Sequence, residues 1–196
     1  MRKPLVHRIG LFGGTFDPIH VGHLALAERA VEQLGLKTLY FVPNAISPLK
    51  TRAPRASGRD RLAMIRAAIK GNPRFKALDL EIRRRGPSFT IDTVAALSRR
   101  TSAKLYFLIG ADALSDLARW HRAKELARRV TFAVFRRPGS PGIRPPAWVR
   151  SWVEVNGPLI DISSSDLRDR LLRGLSIRYL VPEGAAAVLK RRRLYV

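Results

Sequence analysis

The residues best suited to chemistry lie near the start of the chain, in the run Gly13-Gly14-Thr15-Phe16-Asp17-Pro18-Ile19-His20-Val21-Gly22-His23. Gly13 and Gly14 follow a short apolar stretch, where glycine lets backbone approach a ligand and point N–H groups at it. Asp17-Pro18 reads as a helix N-cap followed by proline at the first helical position. That places His20 and His23 in the first turn, on one face of the helix. A helix start favours anions, so imidazoles and free amides gathered there describe a phosphate site built from Gly13, Gly14, Thr15, Phe16, His20, Gly22 and His23. Gly22 is costly in a helix, which implies close packing of ligand or backbone beside it. The run lacks G-x-G-x-x-G and G-K-[ST], so neither a dehydrogenase fingerprint nor a P-loop is present. Only His7 and His121 remain elsewhere and there is no cysteine, so no protein-built metal site is expected.

A second run, Ile162-Ser163-Ser164-Ser165-Asp166-Leu167-Arg168, also opens a helix. Ser163 and Asp166 fit a capping box with Asp in place of Glu. A cap does not explain Arg168. One turn into the helix, its guanidinium can make forked contacts to phosphate oxygens at the helix start.

The first run resembles the H-x-G-H signature of the nucleotidyltransferase superfamily. Its fuller form resembles the nicotinate-mononucleotide adenylyltransferases, and the second run resembles their I-S-S-T/S-x-I-R. The resemblance implies that Ser163, Ser164, Ser165 and Arg168 bind the ATP β- and γ-phosphates. Pro87-Ser88-Phe89-Thr90-Ile91-Asp92-Thr93 is similar to the family's P-S-Y-T-x-x-T, Gly110-Ala111-Asp112 to its G-x-D, and Trp120-His121 to its ring-stacking segment. The acceptor set implied is Thr90, Ile91, Gly110, Asp112, Trp120 and His121. Asp112 would bind a ribose hydroxyl, and the amides of Ile91 and His121 would face a nicotinate carboxylate. Backbone donors suit a carboxylate and oppose an amide's own NH₂. Arg136-Arg137-Pro138-Gly139 and Leu180-Val181-Pro182-Glu183 also resemble family segments, so the likeness runs from about residue 9 to 195. In Pro43-Asn44-Ala45-Ile46-Ser47-Pro48-Leu49-Lys50, Leu49 stands where many members have His, while Lys50 is kept.

The implied reaction transfers AMP from ATP to nicotinate mononucleotide, giving nicotinate adenine dinucleotide and pyrophosphate in NAD biosynthesis. The acceptor phosphate is already mostly ionised near pH 7, since its second pKa is about 6, so no general base is needed. Catalysis is then positioning and charge stabilisation. His23 is expected on the α-phosphate, His20 on its neighbours, and Lys50, Arg137 and Arg168 on other phosphate oxygens. Mg²⁺ would enter bound mainly by ATP. The rival acceptors are nicotinamide mononucleotide, phosphopantetheine and glycerol phosphate. A non-enzymatic nucleic-acid binder on a degenerate nucleotide fold is the rival of another class.

The elements that must position these residues alternate. Apolar strands over 9–12, 38–42, 75–80, 105–109 and 131–135 are interleaved with helical patterns, including one with Leu24, Ala27, Val31 and Leu34 on a single face. Short strands are expected at 151–155 and 159–162, and helices at 59–69, 90–98, 163–174 and 182–190. Proline- and arginine-rich loops are expected at 44–58 and 136–150. Alternation of this kind gives an α/β fold: a Rossmann-like, doubly wound, mainly parallel sheet flanked by helices, with a small helical part from about 163 to 196. Ligands then bind beyond the strands' carboxyl ends, where strand order reverses, and both glycine motifs follow strands.

The length of 196 residues suits a single domain over 1–196, and 46% hydrophobic residues exclude global disorder. Absent cysteines, a non-apolar N-terminus and the lack of any apolar run near ~20 residues predict a cytoplasmic chain without membrane contact. The net charge of +22 fits polyanionic substrates. Its cations are scattered without interleaved aromatics, which argues against a dedicated nucleic-acid face. Oligomeric state stays open, a homo-oligomer included.

Overall fold

The computed structural model describes residues 7–49, 52–84, 86–136 and 142–196. Lys50 and Arg137, both expected at the site, lie outside the described residues.

Among the described residues six strands form one sheet: β1 (Arg8–Gly14), β2 (Thr38–Pro43), β3 (Phe75–Ala77), β4 (Lys104–Gly110), β5 (Thr131–Phe135) and β6 (Trp152–Glu154). Their spatial order is β3-β2-β1-β4-β5-β6, and every pair is parallel. The order reverses between β1 and β4, so the switch point lies at the carboxyl ends of these two strands. The expected doubly wound α/β architecture is therefore present, and the sheet is wholly rather than mainly parallel.

The unbroken apolar runs follow from burial on both faces. Phe12, Tyr106, Leu108, Ala133 and Phe135 face one core, with α1 (Val21–Leu34) and α2 (Gly58–Ala68). Leu11, Leu105, Phe107, Ile109, Phe132 and Val134 face the other, with α4 (Thr90–Ser98) and α6 (Ala123–Arg129). The side-chain period of two sends neighbours in one strand to opposite cores.

The C-terminal helices, α7 (Ser164–Leu172) and α8 (Glu183–Arg191), join the first core through Leu167, Val181, Ala185, Val188 and Leu189. Gly184 allows α8 to meet α2, because a Cβ there would lie 2.6 Å from the Ala67 carbonyl oxygen.

Two expectations need correction, and one stretch holds elements for which none was stated. Residues 159–162 form no strand: Ile160 N donates to Pro158 O and Ile162 N to Ile160 O, so the segment satisfies itself by local turns. The stretch expected as a strand to Leu80 ends at Ala77, and Leu80–Arg83 forms the short helix α3. Between β4 and α6 the chain forms α5 (Ala111–Ser115) and a 3₁₀ turn (Asp116–Arg119), elements too short for periodicity to reveal.

Candidate active site

The first motif leaves β1 at Gly14, and α1 does not begin until Val21. Asp17 is consequently no N-cap. His20 occupies that position, extended at φ −140° and ψ 170°. Asp17 is instead buried, with its carboxylate receiving the amides of Arg55 at 2.8 Å and Ala56 at 3.0 Å and the Tyr195 hydroxyl at 2.6 Å. Its side chain competes for donors brought from distant chain segments, which outweigh one local helix amide.

His20 and His23 stack with ring centroids 3.6 Å apart, and His23 packs against Phe16 at 5.0 Å. The backbone N–H of His20 donates to His23 Nδ1 at 3.2 Å. An accepting Nδ1 carries no proton, so the neutral ring keeps its N–H at Nε2. His23 is thus set as a donor. Gly22 serves this pair: a Cβ there would fall 3.1 Å from His20 Nδ1. The expected close packing at Gly22 is against an imidazole. Gly14 likewise makes room for the Phe16 ring, 2.9 Å from where its Cβ would stand.

Both motifs line one cavity of about 820 Å³ beyond the end of β1. Gly13, Gly14, Thr15, Phe16, His20, Gly22 and His23 enter it from one side. Ser163, Ser164, Ser165 and Arg168 enter from the other. Leu49 and Arg136 also reach it; Leu49 is 41% exposed there, and Arg136 is paired with Glu154 at 2.8 Å.

The serines divide their duties. Ser163 caps α7, its Oγ accepting the Asp166 amide at 3.1 Å. Ser164 Oγ donates to Pro18 O at 2.8 Å, which ties the two motifs together. Ser165 Oγ accepts from Arg168 Nη2 at 2.9 Å, while Arg168 Nη1 donates to Asp17 O at 2.7 Å. The Ser164 and Ser165 amides lie in the first helical turn, where the helix offers them no carbonyl. They and Arg168 give this wall a positive character.

The residues expected to choose the acceptor lie on the β4 side of the switch point, away from that cavity's lining. Thr90 and Ile91 open α4, so the Ile91 amide is a helix-start donor although its side chain is buried. Gly110 caps α5, and the Asp112 carboxylate folds over it so closely that a Cβ at Gly110 would collide with Oδ1. Trp120 stands edge-on to Phe107 at 5.8 Å, and His121 stacks on Phe89 at 4.2 Å. A Cβ on Gly13 would lie 3.2 Å from the Phe107 ring, so β1 and the Trp120 wall are in packing register.

Three further groups were not legible as site residues. Arg61 is fully buried and donates to Thr15 O at 2.8 Å and Ala56 O at 3.1 Å; burial pushes its pKa down. Glu81 is buried between α3 and α4, where desolvation holds its carboxyl above the usual range. It accepts from Thr93 Oγ1 at 2.8 Å and bonds Ser88, whose Oγ accepts the Ala45 amide at 2.9 Å. Glu81 thereby links the loop after β2 to the start of α4. The third is Tyr195. Buried polar groups whose partners lie on other elements, from 5 to 178 residues away, leave no periodic local signal.

The cytidylyltransferase-like family model matches residues 11–170, and the chain belongs to that family. Along nearly its whole length it is similar to curated nicotinate-nucleotide adenylyltransferases. It is 40% identical to one designated "probable" from Herpetosiphon aurantiacus, over 97% of this chain and 100% of that protein. It is 43% identical to another so designated from Shouchella clausii, over 96% of each. In three dimensions it is similar to the Plasmodium falciparum nicotinic acid mononucleotide adenylyltransferase complexed with NaAD. That match has a TM-score of 0.79 at 18% identity, covering 96% of this chain and 97% of that one, and concerns the fold.

Proposed function

We propose that the chain transfers AMP from Mg-ATP to nicotinate mononucleotide, forming nicotinate adenine dinucleotide and pyrophosphate in NAD biosynthesis. The observation that carries this reading is the convergence of two motifs, from opposite ends of the chain, on one cavity beyond the end of β1. Full-length similarity to nicotinate-nucleotide adenylyltransferases supports the choice of reaction.

An acceptor phosphate oxygen attacks the ATP α-phosphorus in line, the bond to the bridging oxygen breaks, and pyrophosphate leaves with that oxygen. The His23 Nε2–H is poised to donate to an α-phosphate oxygen as charge builds there. His20, stacked on it, faces the neighbouring phosphates. Arg168 and the Ser164 and Ser165 amides take the β- and γ-phosphates. Lys50 and Arg137 complete the cationic set. Asp112 holds a ribose hydroxyl, Trp120 meets the pyridine ring, and the Ile91 amide receives the nicotinate carboxylate.

Among the described residues no three His, Cys, Asp or Glu gather as a metal site. Asp17 is committed to Arg55, Ala56 and Tyr195. We assign Mg²⁺ to the nucleotide substrate, held chiefly by its oxygens. We place the reaction in the cytoplasm with the ATP it consumes. No helix among the described residues is long and apolar enough to cross a membrane. Assembly into a homo-oligomer is tested by sedimentation with and without substrates.

The experiment is pyrophosphate release with Mg-ATP and either nicotinate or nicotinamide mononucleotide. Turnover confined to the nicotinate form is expected. Equal turnover with both would discard the carboxylate site at Ile91, and none with either would discard the reaction.

A further inference from the structure

The penultimate residue of the chain reaches the first motif. Tyr195 is buried, and its hydroxyl donates to Asp17 Oδ1 at 2.6 Å across a sequence separation of 178 residues. Asp17 sits between two guanidiniums. Arg61 lies beneath it and bonds the carbonyls of Thr15 and Ala56 rather than the carboxylate. Arg168 lies on the cavity side, with Nη1 2.7 Å from the Asp17 carbonyl and 3.8 Å from Oδ2.

That last distance is the telling one. A free carboxylate beside an arginine closes to a forked pair at about 2.7–2.9 Å. Here Oδ1 already accepts from Tyr195 and the Ala56 amide, and Oδ2 from the Arg55 amide. These three donors spread the carboxylate's charge and fix its plane. Arg168 is left attached to the backbone carbonyl and to Ser165, with its charge still turned toward the cavity.

We propose that Tyr195 is a positioning residue for nucleotide binding. Its hydroxyl holds the Asp17 carboxylate on the 55–56 segment, so that Arg168 stays available to the ATP phosphates. The inference rests on the phosphate-binding reading of Arg168 given above. Burial and the bond to Asp17 raise the Tyr195 pKa far above its ordinary value, so the hydroxyl remains a donor throughout the working pH range. Without it, Oδ1 loses its closest donor and the carboxylate can turn to Arg168. The guanidinium would then be drawn from the cavity, and the 55–56 anchor of the neighbouring 52–54 segment, which lines it, would loosen.

The test is Tyr195→Phe in the full chain, which keeps the ring and removes one oxygen. Binding of Mg-ATP is measured by calorimetry without acceptor, alongside KM and kcat with both substrates. The expected result is an ATP affinity about five- to tenfold weaker, a matching rise in the ATP KM, and a smaller change in kcat, as a small misplacement of a binding group produces. Leu194→Ala, which trims a neighbour packed against the core, is the stability control and should leave ATP affinity unchanged. In an Arg168→Ala background the Tyr195→Phe effect should shrink to less than twofold, because the two act through one carboxylate.

Unchanged ATP affinity in Tyr195→Phe would overturn the proposal. So would an equal loss in Leu194→Ala at a matched melting temperature, or an undiminished effect in the Arg168→Ala background. The calorimetry needs no acceptor. A wild-type chain that binds ATP but turns over no nicotinate mononucleotide would therefore defeat the proposed reaction, while the Tyr195 comparison would still be decided on its own result.

Discussion

Replacing Gly22 with alanine separates helix stability from catalytic geometry, because the two respond in opposite directions. Gly22 is the second residue of α1, where alanine favours the helix by at most about 1 kcal/mol. For a chain of this size that would raise the melting temperature by about 2–4 °C. The new methyl, however, would stand 3.1 Å from His20 Nδ1 and 3.2 Å from Cε1. The His20 ring must yield by a few tenths of an ångström. It cannot do so freely, being 7% exposed and stacked on His23. A 1 Å misplacement of a reacting group costs about a hundredfold, so a shift of a few tenths should lower kcat about three- to tenfold. Steady-state pyrophosphate release and thermal melts on the same preparation measure both quantities. A methyl that merely blocked the cavity would raise the ATP KM and spare kcat. The reasoning predicts the reverse split, with melting unchanged or raised. Full kcat in a folded Gly22→Ala protein would refute the view that this glycine exists to seat the imidazole.

Other perturbations follow from the same structure. His23→Ala should lower kcat about a hundredfold or more with a smaller change in KM, since the proposed Nε2–H contact would strengthen in the transition state; saturation kinetics check this. Arg61→Met should destabilise the protein by about 3 kcal/mol in denaturant titration, because it strips the buried Asp17 of a compensating charge and frees two buried carbonyls. Gly184→Ala should lower stability by about 1–3 kcal/mol despite alanine's helix preference, as its methyl meets the Ala67 carbonyl at 2.6 Å and a backbone atom cannot swing aside. Glu81 carries a pH prediction: its folded pKa is raised by burial, so the folded state holds this proton more tightly than the unfolded chain does. The sign follows. Wild-type stability from this group is greatest below the unfolded value of about 4.5 and is lost as pH rises through the folded value. Glu81→Gln should therefore gain melting temperature relative to wild type as pH rises from 4 toward neutrality, then hold constant. A difference independent of pH would show that Glu81 titrates as it does in the unfolded chain.

What the sequence made legible was whatever is written locally. The strands β1, β2, β4 and β5 were readable because each is a compact apolar run ended by glycine, proline or arginine, and their alternation with helices implied a parallel sheet. The two motifs that line the cavity were readable for the same reason, since glycine, histidine and serine at fixed offsets act on backbone within a few residues. Asp17 shows where local rules stop holding. An aspartate before a proline satisfies every local rule for a cap, yet Tyr195, Arg55 and Ala56 offer it three donors at once. A buried carboxylate needs that many partners to remain charged, and one exposed helix amide could not replace them. Glu81 and Arg61 follow the same logic: their sequence neighbourhoods are unremarkable, and only the fold brings Thr93, Ser88, Thr15 and Ala56 to them.

These long-range ion and hydrogen-bond contacts are not spread evenly over the molecule. Asp17, Arg61, Arg168 and Tyr195 all press on the connection between β1 and α1, and Glu81 presses on the connection into α4. Those are the two segments flanking the switch point, where loops must hold a geometry that their own hydrogen bonds cannot. A parallel sheet delivers its ligand site to loops, and loops are the least rigid part of a fold. Buried polar groups hold them here, from the far end of the chain at Arg168 and Tyr195 and from nearer elements at Arg61 and Glu81. It follows that Tyr195 belongs to the candidate site's support even though it does not line the cavity. A chain shortened before Tyr195 should therefore keep its sheet and lose nucleotide affinity first.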